Sequence, residues 1–320
     1  RKNNMLSDPL FIVGILGMTI CLVSWIRFTI IDEATEPFIV RYISTLSFIS
    51  GAALLYSIFV NSGDLGIVLL VGSVIAFIVM VLGFILKNSE ISSTARGYFI
   101  PIIIIFILRT FLYEPYQIPS GSMEPQLKKG DFLLVNKYAY GLKVNRIGTP
   151  NYFRKDPQYG DPVVILPQHN PVPYIKRLIG KPGDTIRIIN KRLYLNGIAL
   201  ERDFIDSEEY SFDRRVIYQS TGEIKINKID AIGDLYSEKI GNAEYIIRNT
   251  RGLNEQNPQE WTVPQGHYFV MGDNRDNSND SRRDVEFVPR ENFFGRADYI
   301  WMSWECYLCL PSFEKAGKIK

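Results

Sequence analysis

Four apolar stretches crowd into the first 113 residues of this 320-residue chain, at roughly 9–31, 38–60, 66–86 and 98–113. They dictate that one part of the chain meets lipid and another meets water. A helix needs about 20 apolar residues to cross a hydrocarbon layer. The first three stretches meet that length, and the third, GIVLLVGSVIAFIVMVLGFIL, holds no charged residue. The second is the weakest, interrupted by Arg41 and by Ser, Thr and Gly. The fourth, YFIPIIIIFILRTFLY, is short; Pro101 is expected in its first turn, where a missing N–H costs nothing, and Arg109 can snorkel towards headgroups. Residues 1–113 therefore read as a membrane domain with about four candidate transmembrane helices. The first stretch exceeds the apolar core of a cleaved leader and is expected to be an anchor.

Topology is nearly balanced. Lys87 and Arg96 flank the segment before the last span and argue that it is cytoplasmic, which puts everything after residue 113 on the exoplasmic side. Four spans then place the N-terminus outside despite Arg1 and Lys2, while Arg27 and Arg41, around DEATEP, weigh the other way.

From Glu114 onward the pattern changes to strand-length runs broken by Gly, Pro, Asn and Asp: DFLLVNKYAYG, GDPVVILPQ, YIKRLIG, TIRIINKRLYLNG, EYIIRN, GHYFVMGD and DYIWMSW. No long helical pattern separates them, so residues 114–320 predict a mostly antiparallel β domain, with Asn196-Gly197 as a hairpin turn. Residues 191–263 are expected to include an inserted subdomain, since about 201–260 are more polar and irregular. With 36 basic and 34 acidic residues, the chain lacks the basic excess of a nucleic-acid binder. Three cysteines are too few for a disulfide framework; Cys21 reads as a buried hydrophobe, and Cys306 and Cys309 can close a local disulfide in an oxidising compartment.

The chemistry gathers in three segments. In YEPYQIPSGSMEPQLKKGD, Pro119 and Pro125 bracket Ser120-Gly121-Ser122-Met123, which can fix a hydroxyl in a cleft or form an ordinary Ser/Gly-rich turn. A serine needs a base to become a nucleophile. Of the two histidines, His169 in PQHNPVP reads as a solvent-exposed ring in a proline-rich turn and His267 in QGHYFVMGD as structural at a strand start, though neither excludes a Ser-His-Asp arrangement. Lysine is the other base, provided burial lowers its pKa. Lys176 interrupts the apolar strand PYIKRLIG and shares a face with Tyr174 and Leu178, opposite Ile175 and Ile179. It serves equally as an edge-strand lysine turned to water. The third segment, FVMGDNRDNSNDSRRDVEFVP, is not a calcium loop, because counting from Asp276 puts Ser281 and Phe287 where Gly and Glu are required. It suits a hydrogen-bonded turn that orients a neighbour.

In order, IPSGSMEP, GDFLLVNKYAYG, YIKRLIGKPGD and GDNRDNSNDSR resemble the signature boxes of bacterial type I signal peptidases, across most of 111–190 and 264–304. The resemblance implies a signal-peptidase-like β fold and a Ser/Lys serine protease that cuts signal peptides from exported preproteins after small residues. It implies Ser122 as nucleophile and Lys176 as general base, with Ser120 and the Ser122 N–H as the oxyanion hole. Ser278 would orient the lysine amine; Asp280 and Arg282 would pair to brace the site; Gly272 and Asp273 would shape the turn, with Arg177 beside the base. Tyr116, Ile118, Pro119, Met123, Leu127, Val164, Tyr174 and Ile175 would line apolar pockets for the small residues before the cut. Neither metal nor cofactor enters this chemistry. The implied partners are signal peptides, the lipid bilayer and the secretion translocon, and the implied location is the bacterial inner (cytoplasmic) membrane with the catalytic domain on its periplasmic side. Relatives in eukaryotic endomembranes use histidine for the lysine, so Lys176 points to the bacterial or organellar type.

Two features depart from that pattern. Many members have fewer spans, and Pro162 falls in a stretch that usually reads as an uninterrupted strand, which suggests an edge position or a shifted strand start. Two other function classes remain open: a self-cleaving Ser/Lys regulator, which would need a DNA-binding part where this chain is hydrophobic, and a non-catalytic membrane assembly factor.

Overall fold

The computed structural model describes residues 8–31, 37–60, 65–141, 153–167, 172–217, 224–253, 258–304 and 309–319. Arg1, Lys2, His169 and Cys306 lie outside these. The chain forms two compact units, Arg1–Thr110 and Phe111–Lys320.

The first unit is helical, with α1 Pro9–Ile31, α2 Pro37–Val60, α3 Leu65–Ile85 and α4 Ser89–Ile107, the last running into a π-helical turn at Leu108–Leu112. Among the described residues three segments are long and apolar enough to cross a membrane: Pro9–Ile31, Gly66–Ile85 and Ser89–Leu112. α2 has 24 residues but carries Arg41 near its start. α1 packs on α2 through small residues: a Cβ on Gly14 would meet the Ser50 carbonyl oxygen at 3.0 Å and Leu54 at 3.1 Å.

The last span differs from its sequence expectation. Asn88 caps α4, its side-chain oxygen accepting from the N–H groups of Glu90 and Ile91, both at 3.1 Å. The helix thus begins at Ser89 rather than near 98, so Arg96 lies inside it and Pro101 falls in its interior instead of its first turn. An N-cap and an acidic first turn start a helix regardless of hydropathy, which an apolar run cannot reveal.

In the second unit the described strands pair antiparallel in three sheets. Its largest sheet has the order β1-β2-β14-β3-β4-β12-β13, with β15 added on β14. These strands are β1 Tyr113–Gln117, β2 Asp131–Asn136, β3 Pro162–Ile165, β4 Tyr174–Gly180, β12 His267–Met271, β13 Val288–Pro289, β14 Phe293–Ser303 and β15 Gly317–Lys318. Pro115 is tolerated because β1 is an edge strand. Pro162 begins β3, a strand start as expected, but β3 lies between β14 and β4 and is no edge. A four-stranded sheet orders β11 Gln259–Thr262, β5 Thr185–Ile189, β6 Arg192–Leu195 and β7 Ile198–Ala199. Between β6 and β7, Asn196 and Gly197 both take positive φ, 51° and 81°, as a two-residue hairpin of primed type requires.

The third sheet overturns the expectation of an irregular stretch at 201–260. β8 Glu201–Ile217 and β9 Ile224–Ile240 are two 17-residue strands paired along their length, and β9 also pairs with β10 Ala243–Thr250. Such strands span about 55 Å. Their sequences read as irregular because much of the ribbon meets water on both faces, so no apolar alternation marks them.

Candidate active site

The loop that leaves β1 is closed at its base, where the Ile118 N–H donates to Asp131 O at 2.8 Å and Ile118 O accepts from the Gly130 N–H at 2.9 Å. Within it Gly121–Met123 makes one 3₁₀ turn, and the Glu124-Pro125 peptide is cis. Met123 and Leu127, 1% and 0% exposed, enter a cluster with Leu133, Val135 and Val164. Their burial fixes the turn to the sheet and leaves Ser122 on its open side. Asn274 holds the turn from above: its N–H donates to Ser122 O at 3.1 Å and its side-chain amide to Gly121 O at 3.0 Å.

β4 brings Lys176 to this turn. The strand is interior, between β3 and β12, and Lys176 is 3% exposed, which removes the reading of an edge lysine turned to water. Its Nζ lies 2.7 Å from Ser122 Oγ and 3.0 Å from Ile175 O, with the Tyr174 ring centroid 5.4 Å away. Burial lowers the amine's pKa from 10.5 to about 8; Asp280 and Asp273 pull it back up, and Arg282 works against them. A largely desolvated amine in hydrogen-bond contact with a serine hydroxyl is placed where it can take the hydroxyl's proton.

The residues behind the pair form buried ion pairs. Arg177 makes a two-pronged pair with Asp273, at 2.8 and 2.7 Å, and also donates to Gly160 O and Gln126 Oε1. Arg282 makes a second such pair with Asp280, both bonds 2.9 Å, while the Gly272 N–H donates to Asp280 at 2.9 Å. Burial pushes the Asp280 carboxyl up, but Arg282 and the Gly272 N–H more than offset it, so it titrates below the usual carboxylate range. Gly272 touches the Ser122 turn: a Cβ there would overlap the Ser122 carbonyl oxygen and come within 2.6 Å of Ser278 Cβ.

A cleft of about 810 Å³ opens over the pair. Of the residues expected to line it, Tyr116, Ile118, Pro119, Met123, Val164, Tyr174 and Ile175 do so, together with Ser120 and Ser278. Leu127 does not; it is fully buried and packs beneath the turn as core. Ser120 Oγ lies 3.4 Å from Ser122 Oγ. Ser278 is 2% exposed, and its hydroxyl makes no hydrogen bond to Lys176; it lies close enough to Asp280 to help hold that carboxyl down. His267 bonds through Nδ1 to Gln265 O and is not part of the cleft. Among the described residues no group of three or more His, Cys, Asp or Glu is placed to hold a metal. Cys21 is free and buried, and Cys309 is disulfide-bonded.

Sequence reasoning missed the far wall of the cleft, where Ser211, Phe212 and Lys228 arrive from the β8–β9 ribbon. It also missed Arg248, which donates to Glu124 at 2.8 Å and ties β10 to the loop that carries Ser122. Asn274 lay inside a quoted motif, but its grip on residues 121 and 122 crosses about 150 positions of chain and leaves no local signal.

The family model described as "Signal peptidase, peptidase S26" matches residues 91–304 of this chain. Signal peptidase I of Pseudomonas aeruginosa is 39% identical over 247 residues, covering 73% of this chain and 81% of that protein. Its counterpart in Buchnera aphidicola subsp. Baizongia pistaciae is 35% identical over 243 residues, covering 68% and 78%. That of Rickettsia typhi is 34% identical over 226 residues, covering 68% and 82%.

Proposed function

Because the chain belongs to the signal peptidase family, peptidase S26, and is a membrane-anchored serine endopeptidase that removes signal peptides, we propose that Ser122 and Lys176 carry out the cleavage. The observation that carries this is the 2.7 Å contact between Ser122 Oγ and an almost wholly buried lysine amine. With a pKa of about 8, about a tenth of these amines are neutral at pH 7, against about one in 3,000 for a free lysine.

Neutral Lys176 takes the Ser122 proton as Oγ attacks the scissile carbonyl. The developing oxyanion is met by the Ser122 N–H and Ser120 Oγ, and each such donor is worth about 10²- to 10³-fold in rate. Lys176 then passes its proton to the departing amine, the mature protein leaves with a new N-terminus, and water hydrolyses the Ser122 ester by the same base. Tyr116, Ile118, Pro119, Val164, Tyr174 and Ile175 form shallow apolar walls suited to small side chains before the cut. Asp280 and Arg282, with Asp273 and Arg177, set the field around the amine, and Ser278 becomes its partner once substrate excludes water from the cleft. The anchor concentrates the site at the bilayer where a leader's apolar helix lies. The proposed setting is the bacterial inner membrane, with residues 114–320 on the periplasmic side as the catalytic domain and the secretion translocon as supplier of substrate. Neither a self-cleaving regulator nor a non-catalytic assembly factor is favoured, since the curated relatives are signal peptidases across most of the chain.

The test is cleavage of a purified preprotein in detergent by wild type, Ser122→Ala and Lys176→Met, with N-terminal sequencing of the product. Wild type should cut after a small residue and both variants should be inactive. Substantial activity in either variant removes that residue from the mechanism.

A further inference from the structure

The apolar pockets for the leader are built on the large sheet and the loop that leaves β1: Ile118, Val164 and Ile175 pack in one cluster. The opposite wall of the same cleft has a different origin and character, with Ser211, Phe212 and Lys228 coming from the β8–β9 ribbon.

The ribbon is held to the nucleophile loop by a specific set of bonds. Arg248 donates to Glu124, two residues past Ser122, and also pairs with Glu208 of β8. Its guanidinium lies 4.2 Å from the Tyr210 ring centroid, and Tyr210 stacks on Phe212 at 5.6 Å with 25° between the planes. Glu208, Tyr210 and Phe212 alternate along β8 and so occupy one face of it. This face runs from the nucleophile loop out to the cleft as an aromatic ledge anchored by a buried arginine, 3% exposed. Ser122 lines the same cleft as the apolar pockets and the Phe212 end of this ledge.

The charge lining the cleft as a whole is mostly basic. Lys129, Lys228 and Arg283 line the cleft, and the acidic side chain among its lining residues, Glu124, is engaged by Arg248.

Resting on the peptidase assignment of Ser122 and Lys176, we propose that Phe212 and Lys228 bind the first residues of the mature chain, beyond the scissile bond. They are specificity-determining residues that favour preproteins whose mature segment opens with acidic side chains. Phe212 supplies an apolar surface for the departing segment, and Lys228 supplies the charge selection.

The experiment uses the full chain in detergent micelles and two preproteins with the same leader and the same residue before the cut. They differ at the second and third mature residues, both acidic in one and both lysine in the other. Wild type should cleave the acidic form with kcat/KM about threefold to fivefold higher at low salt, the modest advantage of an exposed charge pair. That preference should fade at about 1 M salt, where screening reaches about 3 Å. Lys228→Glu should reverse it. Phe212→Ala should raise KM about fivefold for both substrates at either salt, with kcat little changed, as loss of an apolar contact does. A wild type that cuts both forms equally, a Lys228→Glu variant that keeps the wild-type ratio, or a Phe212→Ala variant with unchanged KM overturns the proposal and leaves the peptidase assignment standing. A wild type that cuts neither form overturns both.

Discussion

Gly272 passes so close to Ser122 that a Cβ at position 272 would overlap the Ser122 carbonyl oxygen. The obstacle is backbone of the nucleophile turn, held in place by Asn274, and it cannot rotate away as a side-chain tip can. Gly272→Ala should therefore displace the turn. Since a misplacement of about 1 Å costs about 10²-fold in rate, kcat on a preprotein should fall at least that far while the variant remains folded by circular dichroism. Near-normal kcat would show that the turn has slack the contacts do not suggest.

Lys176 works against stability through its burial. Its folded pKa, about 8, lies below its unfolded value, 10.5, so the unfolded chain holds more proton between those limits. Stability should accordingly rise with pH from about 8 towards 10.5, and the penalty should be present in full below that window. Lys176→Met replaces the amine with an apolar side chain of similar length. It should abolish cleavage while stabilising the protein by about 1–3 kcal/mol at pH 7, read as a rise in the denaturant midpoint. A fall in stability would mean that the bonds to Ser122 and Ile175 outweigh the cost of burial.

Arg282 lowers the Lys176 pKa and neutralises Asp280, whose charge raises it. Arg282→Gln leaves a buried carboxylate uncompensated near the amine. The acid limb of kcat/KM should move to higher pH than in wild type, and the variant should lose about 3–5 kcal/mol of stability, the usual cost of breaking one side of a buried pair. A pH profile identical to wild type would place the Asp280–Arg282 pair outside the electrostatics of the base.

Ser278 is buried, and its hydroxyl is a smaller contributor to holding the Asp280 carboxyl down than Arg282 or the Gly272 N–H, so it carries little of the fold's stability. Ser278→Ala should leave the midpoint of unfolding within about 0.5 kcal/mol of wild type, as changes away from established contacts do. It should lower kcat by about tenfold or more if the hydroxyl turns to the lysine amine when substrate is bound. Unchanged kcat would assign Ser278 to packing beside Gly272.

What the sequence made legible follows from which forces act locally. Lys176 stood out because it interrupts an apolar strand, and its burial follows from that strand's place between β3 and β12. Ser122 was singled out by the resemblance of IPSGSMEP to a signature box, since prolines bracketing a serine fit an ordinary Ser/Gly-rich turn equally well. Leu127 was misplaced because apolar spacing does not separate a pocket wall from the core directly under it, and the two lie in one cluster with Met123 and Val164. The ribbon was illegible for another reason: strands wetted on both faces carry no period-two pattern, and their pairing is set by partners up to 38 positions apart, such as Glu201 with Lys239. The start of α4 was missed because Asn88 caps it from outside the apolar run.

The pH dependence of kcat/KM, for wild type and for a variant with both His169 and His267 replaced by alanine, tests the central claim most directly. A buried, neutral Lys176 as base predicts an acid limb near pH 8 in both proteins, with activity rising as the amine loses its proton. An acid limb near 6.5 that disappears with the histidines would contradict it, because that is the ordinary range of an imidazole base and not of this lysine.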